Sequence, residues 1–347
     1  MRVERITPGR RAPPRLAGSV LARDLHVRDE RWRKGRRLTA DDLVRLGDAD
    51  FADPIAVIVL EAGELHEDDA ATRLADAVAG RGLTRRGPTQ SRIDLLAAWP
   101  GVLNVDIANL EKINRIDPLE VFTAFDGQIV ATGELVASVK VAPHVVSGTV
   151  VEQGARVAGF GRSPVVWVAP FIRSTVGVVV KESIGGVDRE RFEASVTAKV
   201  EGLGSRIGAI QYVDDDVESV ERGMHPMVAG RELVDLVLTA GAATTDPADP
   251  FFVAIERLGG RLVRRGVPAH PGSMLWLARI GGVPILGMPS CGAYSKATAA
   301  DLLLPRLLSG EPPTEATVAQ LGHGGLLTRD QRFRFPPYAR ELDAPDG

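Results

Sequence analysis

From about Thr175 onward, short apolar segments alternate with longer segments that mix charged and apolar residues. The order is TVGVVVK, DRERFEASVTAKVEGLG, RIGAIQYV, a segment that follows Asp216, and LVDLVLTAG. Strands that alternate with helices form βαβ units, and these units build parallel sheets. The second half of the chain is therefore predicted to be an α/β domain with a mainly parallel sheet.

Residues 1–170 have a different texture. Apolar runs at 55–60, 129–143 and 165–170 are separated by Gly, Asp and Pro turns, which predicts a β-rich α+β domain. Helices are expected at 40–46 and at 67–79, where acidic residues crowd the first turn. The predicted domains are 1–170, 171–315 and a loosely docked tail at 316–347.

Composition narrows the possible functions. The chain has 347 residues, a net charge of -3 and no clustered basic stripe, which argues against nucleic acid as a partner. A single cysteine, Cys291, excludes an internal disulfide framework and a multi-cysteine metal site. No run of about 18 apolar residues and no signal-peptide core are present, so a cytoplasmic protein without membrane contact is expected.

A first strand-to-helix turn lies at 241–249. Asp249 precedes Pro250, and Gly259 with Gly260 marks the expected helix end, so Asp249 fits an N-cap; capping does not exclude a functional role. The threonines of this loop serve either a ligand or the loop itself. The candidates here are Asp249 as a catalytic residue and Gly241, Ala242, Thr244, Thr245 and Asp246 as binding residues.

A second turn follows the strand in GGVPILGMPSCG. Free backbone N–H groups and the helix dipole make such turns suitable for phosphate. Lys296 would oppose the dipole unless an anion is bound, or it is simply solvated. Cys291 has no nearby histidine or second cysteine and is interpreted as a wall residue. The candidates here are Pro289, Ser290, Cys291, Gly292, Ser295 and Lys296.

Residues between the two turns complete the predicted site. PAHPGSM reads as a Pro-Gly turn before a hairpin whose tip is Gly281 and Gly282. Pro271, Gly272 and Ser273 are binding candidates, and His270 is either structural or a ligand contact. The acidic run 214–216 should end a strand, where it serves as a helix cap or contacts a metal or ribose. The six histidines lack metal-ligand spacing.

These pieces resemble a known family. The order TAGAATTDPADP, LGG, PAHPGSM, GGVPILGMPSCG and LLLPRLL, over residues 175–310, is similar to the molybdopterin-binding domain of gephyrin-type molybdenum-cofactor insertases. The N-terminal WRKGRRLTADDLVRLGDADFADPIAVIVL also resembles a segment of the insertase family. GQIVATGELVASVKVAPHVV and LGHGGLL are similar to bacterial molybdopterin-binding proteins that occur alone or fused to a molybdenum-cofactor nucleotidyltransferase. The chain departs from the insertases at Ala242, at Ser273, where they have lysine, and at Ser290 with Cys291.

The resemblance implies a three-layer α/β/α domain that binds molybdopterin or its nucleotide form, with Mg²⁺ or molybdate as companions. It implies that Gly241 and Thr244 admit the pterin, Asp249 orients metal or nucleotide, and Ser295 with Lys296 holds the phosphate. Molybdenum insertion, cofactor carriage and cleavage of a nucleotide tail all stay open. Homo-oligomers, and a nucleotidyltransferase or molybdoenzyme as partner, are expected.

Overall fold

The structure is a computed structural model that describes residues 1–7, 10–47, 49, 51, 53–159, 164–181, 186–288 and 297–340, with the side chains of 186–188 left aside. The chain divides into two compact units. The first comprises 1–99, 104–126 and 132–168. The second comprises 100–103, 127–131 and the chain from 169 onward. The predicted division at 170 and 315 stays a prediction.

Short antiparallel sheets dominate the first unit. Their strands are β1 (Arg2–Ile6), β2 (Val20–Leu21), β3 (Leu25–Val27), β4 (Glu30–Trp32), β5 (Ile55–Val59), β6 (Glu64–His66), β7 (Leu83–Thr89), β8 (Arg92–Ala97), β10 (Leu119–Thr123), β12 (Leu135–Val141) and β13 (Val145–Ser147). They are arranged in the orders β1-β5-β2, β10-β12-β8-β7, β13-β6 and β3-β4. The prediction of a β-rich first part is confirmed.

Helices of the first unit are α1 (Ala40–Gly47), α2 (Glu67–Val78), α3 (Ile107–Asn114) and α4 (Gly148–Gly159), with a 3-10 turn at Pro14–Leu16. The predictions of α1 and α2 are confirmed. Nδ1 of His66 caps α2 by accepting from the backbone N–H of Asp68 at 3.1 Å, and α2 buries an alanine-rich face around Leu74. The sequence did not indicate α3 and α4.

Three further strands lie where the chain passes between the units. They are β9 (Gly101–Val105), β11 (Ile129–Val130) and β14 (Val166–Pro170). Within the second unit, Ile129 pairs antiparallel with Val102, and both side chains belong to its core.

One six-stranded sheet organises the second unit. Its strands are β15 (Thr175–Val180), β16 (Arg206–Tyr212), β17 (Leu236–Ala240), β18 (Arg261–Arg265), β19 (Trp276–Ile280) and β20 (Val283–Gly287), in the order β16-β15-β17-β20-β19-β18. Strands β16, β15, β17 and β20 run parallel, whereas β19 and β18 join antiparallel. The predictions of a mainly parallel sheet and of the hairpin at 281–282 are confirmed.

Helices cover both faces of this sheet, because alternate side chains of its buried strands point to opposite faces. On one face Val178 and Leu238 pack against α5 (Gly186–Glu201) and α8 (Ala300–Leu308). On the other face Val179 and Val237 pack against α6 (Val217–Val228) and α7 (Pro250–Arg257). The predicted three-layer α/β/α arrangement is confirmed.

The C-terminal segment packs more firmly than the expected loose tail. It contains α9 (Glu315–Gln320), a 3-10 turn at Arg329–Arg334 and α10 (Pro337–Arg340). Val318, Phe335 and Ala339 are buried in the core that holds α5 and α8. The sequence did not indicate this packing, because the apolar residues of the segment are scattered and follow neither a helical nor a strand period.

Candidate functional site

The carboxyl ends of the four parallel strands gather the polar residues of the second unit at one edge of its sheet. Lys181 follows β15, the acidic run 214–216 follows β16, and the loop 241–249 follows β17. Trp276 begins the antiparallel β19 opposite Gly287, the last residue of β20. The loop that precedes Trp276 therefore reaches the same edge, where open α/β sheets bind their ligands.

A buried ion pair lies at this edge. The ammonium Nζ of Lys181 is 2.8 Å from Oδ2 of Asp249, and the two side chains are 4% and 0% exposed. The same ammonium lies 5.9 Å from the centre of the Phe251 ring. The backbone N–H of Lys181 donates to the carbonyl of Ala240 at 3.0 Å, which extends the strand pairing to the lysine.

Asp249 caps helix α7, as the sequence predicted. Its Oδ1 accepts from the backbone N–H of Phe251 at 2.9 Å, and its Oδ2 accepts from the N–H of Ala243 at 2.7 Å. Such caps stabilise a helix by about 1 kcal/mol. Both oxygens of Asp249 are thus engaged, and they tie the loop after β17 to the start of α7. The predicted catalytic role of Asp249 stays a prediction.

Asp215 is the third member of the cluster. Its Oδ1 lies 2.6 Å from Nζ of Lys181, and its side chain is 74% exposed. Its neighbour Asp216 instead caps α6 by accepting from the backbone N–H of Ser219 at 2.8 Å. The capping interpretation of the acidic run is therefore confirmed for Asp216, while Asp215 turns towards the lysine.

The pKa of Lys181 is raised. Burial alone would lower it, but hydrogen bonds to Asp215 and Asp249, together with their negative charges, outweigh that effect. Lys181 is therefore an ammonium at neutral pH. One cation beside two carboxylates leaves the described cluster with a net charge of about -1.

The loop after β17 is shaped by its own polar groups. Gly241 has a φ of 94°, a conformation that favours glycine. The hydroxyl of Thr244 donates to the carbonyl of Met274 at 2.9 Å, and Asp246 accepts from the N–H of Ala248 at 2.8 Å. Thr245 is exposed and Ala242 is half-buried. Thr244 thus satisfies loop groups, one of the two roles that the sequence allowed.

The Pro-Gly turn at 271–273 is largely buried. Pro271 and Gly272 are buried and Ser273 is half-buried. The carbonyl of Pro271 accepts from the N–H of Ala299 at 2.9 Å, and a Cβ at Gly272 would approach Ala299 N to 2.8 Å. The turn therefore fastens the chain that leads into α8, and its role in binding stays a prediction.

His270 is held by backbone hydrogen bonds to the segment 325–327. Its N–H donates to the carbonyl of Gly325 at 2.7 Å, and its carbonyl accepts from the N–H of Leu327 at 2.8 Å. The residue as a whole is exposed, and the strand-like pairing accounts for its position beside the sheet edge.

Two buried polar atoms near the carboxyl ends of the parallel strands have no hydrogen-bond partner among the described residues: Oγ1 of Thr239 and Nε1 of Trp276. Thr239 pairs with Gly287, which pairs with Trp276 on its other side. A Cβ at Gly287 would clash with the indole ring, so glycine is required there. The indole packs against the first turn of α7, where the ring centres of Phe251 and Trp276 are 6.0 Å apart.

Six predicted binding residues lie outside the described part of the chain: Pro289, Ser290, Cys291, Gly292, Ser295 and Lys296. Of the other candidates, Asp249 joins the ion-pair cluster directly, and Gly241, Ala242, Thr244, Thr245 and Asp246 lie on the loop that Asp249 ties down. Their roles as binding residues stay predictions.

Lys181 was absent from the predicted site, and Asp215 was only a weak candidate. The missed signal in both cases is position, because each follows a buried parallel strand at the carboxyl edge. A lysine that ends a run such as TVGVVV must find a partner if it is buried there.

Within the described ranges, no cluster of three or more His, Cys, Asp and Glu side chains suits a metal ion. None of the helices in those ranges combines the length and apolar character needed to cross a bilayer.

Comparison with known protein families gives a match within the second unit. Residues 179–309 match the family model described as a probable molybdopterin binding domain. The match spans Lys181, Asp215 and Asp249, with the loops that hold them.

Similar solved structures share little sequence with the chain. A molybdopterin biosynthesis MoeA protein from Pyrococcus horikosii is 14% identical, with a TM-score of 0.31, over 71% of this chain and 80% of its own. The molybdopterin biosynthesis enzyme MoaB from Thermus thermophilus is 18% identical, with a TM-score of 0.30, over 40% and 98%. A molybdopterin biosynthesis protein from Mycobacterium abscessus is 13% identical, with a TM-score of 0.26, over 43% and 94%. No curated protein matches this sequence.

Proposed function

We propose that the second unit binds molybdopterin or its nucleotide form at the carboxyl edge of its sheet, in the biosynthesis or maturation of the molybdenum cofactor. The observation that carries this proposal is the molybdopterin-binding family match over residues 179–309, since it covers the strand ends where Lys181, Asp215 and Asp249 meet.

Within a cluster whose net charge is about -1, the Lys181 ammonium is the group that would meet an anionic ligand with an apolar or aromatic body. A phosphate group pairs with an ammonium such as that of Lys181. The start of α7 is already capped by the carboxylate of Asp249, so the ammonium is the group assigned to the phosphate. Small residues at 241–243 leave the backbone accessible to a flat ring. Mg²⁺ or molybdate would enter as a companion of the pterin.

In this proposal Asp249 positions Lys181 and the loop after β17, and it does not contact the ligand. Its two oxygens already bind Lys181 and the N–H groups of Ala243 and Phe251, so the carboxylate holds the lysine and the loop in place. That saturation favours a protein that holds the cofactor over one that uses Asp249 as a metal ligand. Molybdenum insertion and cleavage of a nucleotide tail are the competing activities.

The test is a titration with molybdopterin, followed by pterin fluorescence, for the wild type, Lys181→Met and Lys199→Met. Lys199 of α5 forms a buried ion pair with Asp301 of α8 in the same unit, outside the cluster of Lys181, Asp215 and Asp249, so its variant is a matched control for loss of a buried lysine. We expect Lys181→Met to weaken binding by about tenfold or more, because a charge-assisted contact contributes about 1.5–3 kcal/mol. Lys199→Met should bind as the wild type does wherever it is folded.

Repeating the titration with molybdate and with Mg²⁺ separates the activities. Stable binding without turnover supports the carrier, molybdate-dependent cofactor formation supports insertion, and cleavage of the nucleotide form supports the hydrolase. No binding by the folded wild type contradicts the proposal altogether. An equal loss of molybdopterin affinity in Lys181→Met and Lys199→Met would contradict the assignment of the ligand to the carboxyl edge of the sheet.

We also propose self-association and a molybdoenzyme or molybdenum-cofactor nucleotidyltransferase as protein partner. Light scattering on the purified chain measures the first. Co-purification with tagged candidate partners measures the second.

A further inference from the structure

The ammonium of Lys181 binds two carboxylates that differ in every other respect. Asp249 is fully buried and also accepts two backbone hydrogen bonds from the loop and helix that surround it. Asp215 is 74% exposed, and within the described chain its side chain has no other ion pair or hydrogen bond. One carboxylate is therefore a fixed support, and the other is a surface group held by the lysine alone.

An exposed contact of this kind is easily exchanged. On the side of Asp215 the contact is open to water, which screens its charge and can replace the lysine as its partner. Lys181 itself cannot move far: its backbone continues the strand pairing, and Asp249 holds its ammonium. An incoming anion of higher charge would therefore meet a lysine already in position and would have to replace only Asp215.

We propose that Asp215 occupies the place of the ligand's phosphate in the free protein, and that the phosphate displaces it from Lys181 on binding. This inference rests on the proposed function and adds to it a specificity rule. A phosphorylated pterin gains the contact with Lys181 as compensation for displacing Asp215. A pterin without phosphate gains no such contact, so Asp215 stays paired.

The chain offers a matched control for the test. Asp214 is the exposed neighbour of Asp215 in the same acidic run, and the two ion pairs of Lys181 are with Asp215 and Asp249. Asp214→Asn and Asp215→Asn remove the same charge from almost the same place, but only the second removes an ion-pair partner of Lys181, whose ammonium keeps its contact with Asp249. Both positions are on the surface, so both variants should fold, which thermal unfolding checks.

The experiment compares the Kd of molybdopterin for the wild type and the two variants, and repeats the comparison with 6-hydroxymethylpterin, which has no phosphate. We expect Asp215→Asn to bind molybdopterin about two- to fivefold more tightly than Asp214→Asn, the range expected from releasing one exposed ion pair. The two variants should not differ towards the phosphate-free pterin.

Equal molybdopterin affinity in the two variants would overturn the displacement. Weaker binding by Asp215→Asn would also overturn it, and would instead make Asp215 a contact to the ligand or to its metal companion. Failure of the wild type to bind molybdopterin at all is a different result, because it removes the proposed function on which the inference rests.

Discussion

Two buried lysines of the second unit make the same kind of ion pair in different settings. Lys181 meets Asp249 at the ends of the parallel strands, beside the exposed Asp215. Lys199 of α5 meets Asp301 of α8 at 2.5 Å, with side chains 2% and 0% exposed, and the Tyr338 ring lies 5.4 Å from its ammonium. The first pair contacts an exposed carboxylate, whereas the described residues give the second pair no exposed ion-pair partner, so we assign binding to the first and stability to the second.

The largest effect should come from the enclosed pair. Lys199→Met would leave the carboxylate of Asp301 buried, with the backbone N–H of Thr298 as a remaining donor among the described residues. Breaking a buried pair in this way costs about 3–5 kcal/mol, which urea denaturation of the purified variant measures. A loss below about 1 kcal/mol would contradict the structural role assigned to this pair.

The open pair should cost less. In Lys181→Met the carboxylate of Asp249 keeps two backbone donors, the N–H groups of Ala243 and Phe251, and Asp215 returns to water. We expect a loss of about 1–3 kcal/mol, the cost of one unmet buried contact. The same urea titration ranks the two variants, and the reverse order would break the comparison.

A smaller, pH-dependent effect should come from Tyr338. Burial, and then the negative charge of Asp301, raises the pKa of its hydroxyl well above the usual range. A raised pKa means that the neutral phenol is favoured in the folded state, so this stability is present below about pH 10 and is lost as the pH rises further. Tyr338→Phe should therefore be less sensitive than the wild type to a change from about pH 9 to about pH 11. Urea denaturation at both pH values measures this. An equal change in the free energy of unfolding for the wild type and Tyr338→Phe would contradict the prediction.

Local sequence patterns were sufficient for much of the second unit. Alternating strands and helices predicted its sheet, and Asp249 before Pro250 predicted the start of α7, because caps and strand patterns involve neighbouring residues. Helix α4 was missed since it contains several glycines, which are poor helix formers. Its Gly154 is needed for packing: a Cβ there would lie 2.5 Å from Leu119 Cδ1.

The ion-pair cluster could not be read from local patterns. Lys181 and Asp249 are 68 residues apart, and only the order of the strands in the sheet brings them together. The sequence supplied the loop and the carboxylate but not the cation that the carboxylate binds. Charged residues that directly follow different buried parallel strands meet at the carboxyl edge of the sheet. Looking for such residues would have indicated the contact between Lys181 and Asp249.

Trp276 also makes the binding edge optically observable. The other tryptophans lie in the first unit: Trp32, Trp99 and Trp167. The second unit therefore contains one indole, which is buried at the start of β19. Its ring packs against Phe251, whose own face lies near the Lys181 ammonium. Replacing the other three tryptophans with phenylalanine would leave a single emitter beside the strand ends, and energy transfer from it to a bound pterin would report the ligand's arrival without any label.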